Sequence, residues 1–325
     1  MKTRDTEYLY ATTRIRSLER GLLDRGVTDR LIEAASVEDM AKIMSELGYT
    51  QLQTAGIKDI ENSLISARRE TFELIESISP DSEICDVFRL RYDYHNIKAI
   101  LKGEISGEDA RNLLIDAGRF GVEALVSLMR EREYKELPET VRVAVENARE
   151  TLARTKDAQL CDFILDRAYF AEMVSLAKQS GSKFLEGYVK CLIDTTNLRA
   201  TIRAMRRNKD ADFLKNALQE GGNILCDKFF EVLSSEISLD DALKGTFLES
   251  TLEASGDMVS FERECDNAVM TYLRSARYVA FGEEPLVAYV AAKEADIITI
   301  RIILAGKVQE LPADEIRERL RASYV

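Results

Sequence analysis

Three short segments of the sequence carry the same pattern of ionisable and amide side chains: residues 92–103 (YDYHNIKAILKG), 193–204 (IDTTNLRATIRA) and 295–306 (ADIITIRIILAG). Asp93, Asp194 and Asp296 coincide; Asn96, Asn197 and Thr299 follow three residues later, and Lys98, Arg199 and Arg301 two after that. On a helix, residues three apart share a face, so each aspartate and its amide partner stand together while the basic residue points elsewhere. One chemistry open to such a pair is gripping a polar ligand. The other is structural: a buried polar pair that bridges neighbouring helices. Catalysis rarely needs the same pair three times in one chain, so the structural role has the greater weight.

Other reactive constellations are scarce. His95 is the only histidine, which excludes a two-histidine metal site and H-E-x-x-H zinc chemistry. It stands between Tyr94 and Asn96, and the other copies have Thr196 and Ile298 in its place, so a structural role is expected. No G-x-G-x-x-G or G-x-x-x-x-G-K-[ST] occurs, so no phosphate cradle is expected. Cysteines stand at 85, 161, 191, 226 and 265, an odd number without any C-x-x-C. They read as reduced, mostly buried thiols of a cytosolic protein. The acid pairs Asp210/Asp212 and Asp240/Asp241 belong to helix starts, where they complement the helix dipole. No catalytic, cofactor-binding or metal-ligating residue is therefore expected. The basic cluster Arg203, Arg206, Arg207 and Lys209 ends a helix, the favoured end for cations, and is the one candidate docking patch.

The elements that must hold these residues are helices. Among 325 residues there are only 16 Gly and 4 Pro, too few for the frequent turns of an all-β sandwich. With 46% hydrophobic and 31% charged residues, the chain can bury a real core. Long helices are expected near 4–25, 60–78, 81–102, 138–154, 157–180, 182–207, 258–281 and 285–305. Shorter ones are expected near 28–35, 37–47, 107–117, 121–132, 210–219, 223–234, 239–253 and 312–322. Ser36, Ser106 and Ser238, each with Asp three residues on, are expected N-caps. Gly26, Gly48, Gly103, Gly118, Gly181, Gly282 and Gly306 are expected to stop helices. The most apolar stretch is broken by Lys293, Glu294, Asp296 and Arg301, so it is not expected to span a bilayer, and the opening residues have no apolar signal-peptide core. A soluble chain is expected. Its net charge of -12 makes nucleic acid or an anionic lipid surface a poor partner.

The segments are spaced by 101 and then 102 residues, from Asp93 to Asp194 to Asp296. Each follows a long amphipathic helix and precedes a short acidic-capped one. The fold class is therefore all-α, with three similar helical units at 1–105, 106–207 and 208–325 and no linker between them.

The segment YDYHNIKAILKG resembles the central motif of the C subunit of V/A-type rotary ATPases and ATP synthases, the family of the eukaryotic d subunit. The opening YLYATTRIRSLERGLL and the close PADEIRERL are similar to that family's first and last helices, so the resemblance spans essentially the whole chain. It implies a funnel of three units about a pseudo-threefold axis. It also implies a non-catalytic rotor part, coupling a central-stalk shaft of the D and F subunits to the proteolipid ring in ATP-driven or ATP-producing proton or sodium transport. Such a part would sit at the cytoplasmic face of the membrane, held through the ring, with no cofactor or small-molecule ligand, and would be a monomer when isolated. Read without the resemblance, the repeat also suits a helical scaffold unrelated to ion transport.

Overall fold

Nearly every segment with helical periodicity is a helix in the computed structural model, which describes residues 6–52, 56–80 and 83–325. No β-strand occurs among the described residues. The chain forms two compact units by contact, one from Met1–Ser82 and Leu243–Val325, the other from Glu83–Ala242.

In the first unit, helices α1 (Leu9–Leu18), α2 (Arg25–Glu33), α3 (Val37–Glu46) and α4 (Ile57–Ile78) come from the early sequence. The second unit holds α5 (Glu83–Ser106), α6 (Val122–Glu131), α7 (Glu139–Thr155), α8 (Ala158–Ser180), α9 (Lys183–Arg206), α10 (Ala211–Ala217) and α11 (Cys226–Leu233), and α12 (Leu239–Leu243) ends where the chain leaves it. The first unit is then completed by α13 (Met258–Arg274), α14 (Glu284–Val308) and α15 (Ala313–Arg319). Two of the three signature helices, α5 and α9, thus lie in the second unit and the third, α14, in the first.

Local chemistry accounts for most boundaries. Asp24, Ser36, Asp157, Ser182, Asp210 and Asp257 each accept a hydrogen bond from a first-turn amide, satisfying donors that the helix itself cannot. Ser238 likewise accepts from the Asp241 amide (3.0 Å). Ser106 does not cap a following helix. It closes α5, donating to the Gly103 carbonyl, and Asp109 caps the next turn instead. Gly181 does stop α8 in a left-handed conformation, but Gly103 and Gly306 lie inside α5 and α14. Their role there is close approach: a Cβ on Gly306 would come 2.6 Å from Ile316 Cγ1.

Other expectations are corrected where tertiary contacts override local preference. The helix expected at 107–117 is only a 3₁₀ turn, Ala110–Leu113, because Leu114 turns extended to bring Ile115 to a partner on α5. The helix expected at 4–25 ends at Leu18 and passes through a 3₁₀ turn, with residues 4 and 5 outside the described residues. The segments 239–253 and 258–281 each break into a helix and a separate 3₁₀ turn.

Helix α8 packs against α5, α7 and α9 at the centre of the second unit. Phe88 stacks on Tyr188 (5.5 Å between centroids), and Tyr94 meets Tyr169 edge-on (5.6 Å). In the first unit, α14 is buried on every side over Pro285–Ala292, which explains why it reads as apolar all round. Its lower half, through Ile297, Ile300, Ile303 and Leu304, joins Leu31, Met40 and Met44 of α2 and α3 and Ile60 and Leu64 of α4 in one core. The charges that interrupt the stretch are placed individually: Glu294 accepts from Arg68 Nε (2.7 Å), and the Lys293 ammonium lies 5.3 Å over the Tyr49 ring.

Candidate functional site

Each signature aspartate tethers a loop that runs past its helix. In α5, Asp93 Oδ1 accepts from the Arg119 and Phe120 amides (2.9 and 3.3 Å), and Oδ2 accepts from Arg119 Nε (2.7 Å). One turn on, Asn96 clamps Ile115 at two points, donating to its carbonyl and accepting from its amide, both at 2.9 Å. In α9, Asp194 accepts from the Asn223 and Ile224 amides (3.1 and 3.0 Å) and from Asn223 Nδ2 (2.9 Å). Asn197 clamps Gln219 in the same way, with both bonds 2.8 Å. Both copies use two successive amides and the side chain of the first of those residues, a guanidinium on Asp93 and a neutral amide on Asp194.

A glycine makes each approach possible. A Cβ on Gly118 would lie 2.1 Å from Asp93 Oδ1, and one on Gly222 would lie 2.1 Å from Asp194 Oδ1. Neither position admits a side chain.

The third copy is built from distant parts of the chain. Asp296 of α14 accepts from the Leu23 amide (3.2 Å), so residues just before α2 occupy the place held by Phe120 and Ile224. Counting back two residues from Phe120, Ile224 and Leu23 gives Gly118, Gly222 and Gly21. A Cβ on Gly21 would meet nothing within 4 Å, so this loop lies less tightly on its aspartate. Thr299 replaces the asparagine, and its short hydroxyl side chain cannot make the two-point amide clamp.

All three aspartates are inaccessible, with 0%, 0% and 5% of their surface exposed for Asp93, Asp194 and Asp296. Burial raises each carboxyl above the ordinary range. For Asp93 the Arg119 guanidinium and two amides oppose that rise; for Asp194 the Ile224 and Asn223 groups do. Asp296 has less to oppose it, Lys293 and one amide, and is pushed up to about 7.

The basic signature positions point away from this tether. Lys98 Nζ meets Asp166 Oδ1 of α8 (2.5 Å), and Arg301 Nη2 meets Glu61 Oε2 of α4 (2.7 Å). Arg199 is half-buried on α9. His95 is exposed and donates from Nε2 to the Leu113 carbonyl (2.9 Å), which is a structural contact. Arg203, Arg206, Arg207 and Lys209 are all exposed at the end of α9, with Lys209 Nζ 5.5 Å over the Phe213 ring. The residue that sequence reading missed is Arg119. Besides Asp93 it donates to Glu172 of α8 (2.8 Å), which also accepts from the Tyr94 hydroxyl (2.9 Å). A glycine, one variable residue and an apolar residue, set shortly before a helix, is the signal that marks this loop in all three places.

Among the described residues, no group of three or more His, Cys, Asp or Glu side chains could hold a metal ion. No helix among them is long and apolar enough to cross a membrane. The aspartates are occupied by main-chain donors, and the arrangement positions loops against helices.

Comparison with known proteins gives the chain a family. Residues 11–319 match the family described as ATP synthase (C/AC39) subunit. The chain is 27% identical to the C subunit of the V-type sodium ATPase of Enterococcus hirae, over 98% of this chain and 99% of that one. It is 25% identical to the C subunit of the A-type ATP synthase of Methanocaldococcus jannaschii, over 96% of this chain and 86% of that one. The C subunit of the Thermococcus kodakarensis A-type ATP synthase is 24% identical, over 96% and 90%. A match of this extent, on a chain whose recurring polar residues are spent on architecture, makes the protein a member of the C/AC39 subunit family of ATP synthases and a structural subunit, not a catalytic one.

Proposed function

We propose that this chain is the rotor adaptor of a V/A-type rotary ATPase, seating the shaft of the D and F subunits on the proteolipid ring of the membrane. The observation that carries this reading is the family match over residues 11–319, together with relatives named as C subunits across nearly their whole length. In the proposed arrangement the three helical units, 1–105, 106–207 and 208–325, stand around a pseudo-threefold axis. The shaft enters at one end and the ring is held at the other. The chain is then peripheral at the cytoplasmic face and reaches the membrane only through the ring.

Two features suit the role. Long helices whose connecting loops are tied back by buried side-chain bonds resist shear, since close-packed interiors deform little. The net charge of -12 disfavours contact with anionic lipid and leaves the seat to protein. Mixing the purified chain, expected to be a monomer, with a D–F complex tests the reading by size-exclusion chromatography with light scattering. A stoichiometric ternary complex is expected. Separate elution of the two at micromolar concentration would sink the proposal.

A further inference from the structure

The second unit has a cleft of about 570 Å³ between the C-terminal half of α5, the turn that follows it, α6 and α7. Its floor is apolar, from Ile100, Leu114 and Val126. Four arginines, Arg111, Arg130, Arg132 and Arg149, stand around that floor. With Glu104, Glu108 and Asp109 also in the lining, the cleft carries a small positive excess on a chain with a net charge of -12.

The four are held differently. Arg149 is part of the wall: its Nη2 donates to Glu104 Oε1 (2.5 Å) and to the Met129 carbonyl (3.0 Å), and its guanidinium lies 5.5 Å over the Tyr134 ring. Arg111, Arg130 and Arg132 are exposed, and none has a carboxylate within ion-pair distance among the described residues. The cleft has three acids of its own: Glu104 pairs with Arg149 and also feels the charge of Arg132, Asp109 accepts from the Arg111 amide (3.0 Å), and Glu108 is exposed. Arg132 ends α6 in a left-handed conformation, as Lys156 does at the end of α7.

The repeat supplies an internal control. Counted from Gly118, Gly222 and Gly21, the places of Arg130 and Arg132 are taken by Ser234 and Glu236 in the second copy and by Glu33 and Ala35 in the third. The tethering aspartates recur because the architecture needs them. The guanidinium pair occurs once, so the architecture does not.

We infer that this cleft is a docking site for an acidic segment of a partner protein, one that places a large apolar side chain on the Ile100–Leu114–Val126 floor and carboxylates against Arg111, Arg130 and Arg132. Charge complementarity selects that occupant: a guanidinium fork pairs carboxylates in two-point geometry, and the acidic remainder of the surface repels the same segment elsewhere. The test needs only the isolated chain, so its failure and the failure of the rotor reading are distinguishable.

The test uses the full chain and a synthetic probe, the peptide Ac-DELED-NH2, by isothermal titration or fluorescence anisotropy at low salt. Saturable binding is expected. The double variant Arg130→Glu/Arg132→Glu should weaken it at least about tenfold, Arg130→Gln/Arg132→Gln less, and the matched reversal Lys215→Glu/Lys228→Glu less than about twofold. Thermal melts of each variant establish that it is folded. Replacing the central leucine by glycine in the probe should also weaken binding. No saturable binding at millimolar peptide, or equal weakening by both charge reversals, would overturn the proposal. So would displacement of the peptide by equimolar inorganic phosphate together with indifference to the leucine, since the cleft would then take any anion.

Discussion

Leu23 donates its backbone amide to the carboxylate of Asp296, 273 residues later in the sequence (3.2 Å). That bond does for α14 what the bonds of Phe120 and Ile224 do for α5 and α9. It also differs from them in strength, because Asp93 and Asp194 each accept from three donors of their loop, and the loop gives Asp296 a single amide.

The difference sets a pH dependence. The Asp296 carboxyl stands at about 7 in the folded chain, against an ordinary 3.8, chiefly through burial. The folded state therefore binds this proton more tightly than the unfolded state. Its contribution to stability is fully present below about pH 4, declines as pH rises toward 7, and is level above that. Asp296→Asn keeps an acceptor for Leu23 and removes the charge. Its thermal midpoint should gain on wild type as pH is raised from about 5 to about 8, and a constant offset between the two melts would refute the assignment.

Removing Asp93 should be costly in another way. Asp93→Ala leaves the Arg119 and Phe120 amides without their acceptor and takes one of two carboxylates from Arg119, which keeps Glu172, so the loss should be about 1–3 kcal/mol. Urea unfolding should show the loss as a lower midpoint. Far-UV dichroism at low temperature should stay helical, and binding to a D–F complex should survive under those conditions.

The three loop glycines should divide unequally. Gly118→Ala and Gly222→Ala drive a methyl into an aspartate oxygen and should each lose about 2 kcal/mol, as overpacked cores do. Gly21→Ala meets open space and should stay within about 0.5 kcal/mol of wild type. Equal losses at all three positions would mean that the third loop is held as closely as the others.

The thiols should be silent in the folded chain. Cys85, Cys161, Cys191 and Cys265 are buried, and Cys226 is half-buried. Burial pushes Cys161 up to about 11 and Cys191 and Cys226 up to about 12, so almost none of their thiolate, the reactive form, exists at neutral pH. A chromogenic disulfide reagent should titrate all five cysteines in urea and react only slowly without it.

Much of this was legible in the sequence. Helical periodicity and scarce glycine and proline announce the all-α class, and Asp93, Asp194 and Asp296 can be aligned by eye. The partners of those aspartates were not legible, since main-chain amides leave no mark in a sequence. Residues 107–117 read as a helix because their periodicity is helical, yet the clamp of Asn96 on Ile115 requires extended chain there. The contribution of Leu23 to the third copy was hidden for a related reason. Only Gly21 and an apolar residue link that loop to its counterparts, and no local signal records a partner 273 residues away.

The Leu23–Asp296 tie also bears on how the chain is made. The loops after α5 and α9 meet their aspartates within 26 to 30 residues, so those copies close soon after they leave the ribosome. Helices α2 and α3 emerge early and wait for α14. At roughly 5–20 residues per second, crossing 273 residues takes about 14–55 s. Through that interval Leu31, Met40 and Met44, which end fully buried against α14 and α4, have only part of their final cover. The nascent chain thus carries an apolar surface for most of its synthesis, and that early segment is where a holdase would find its grip.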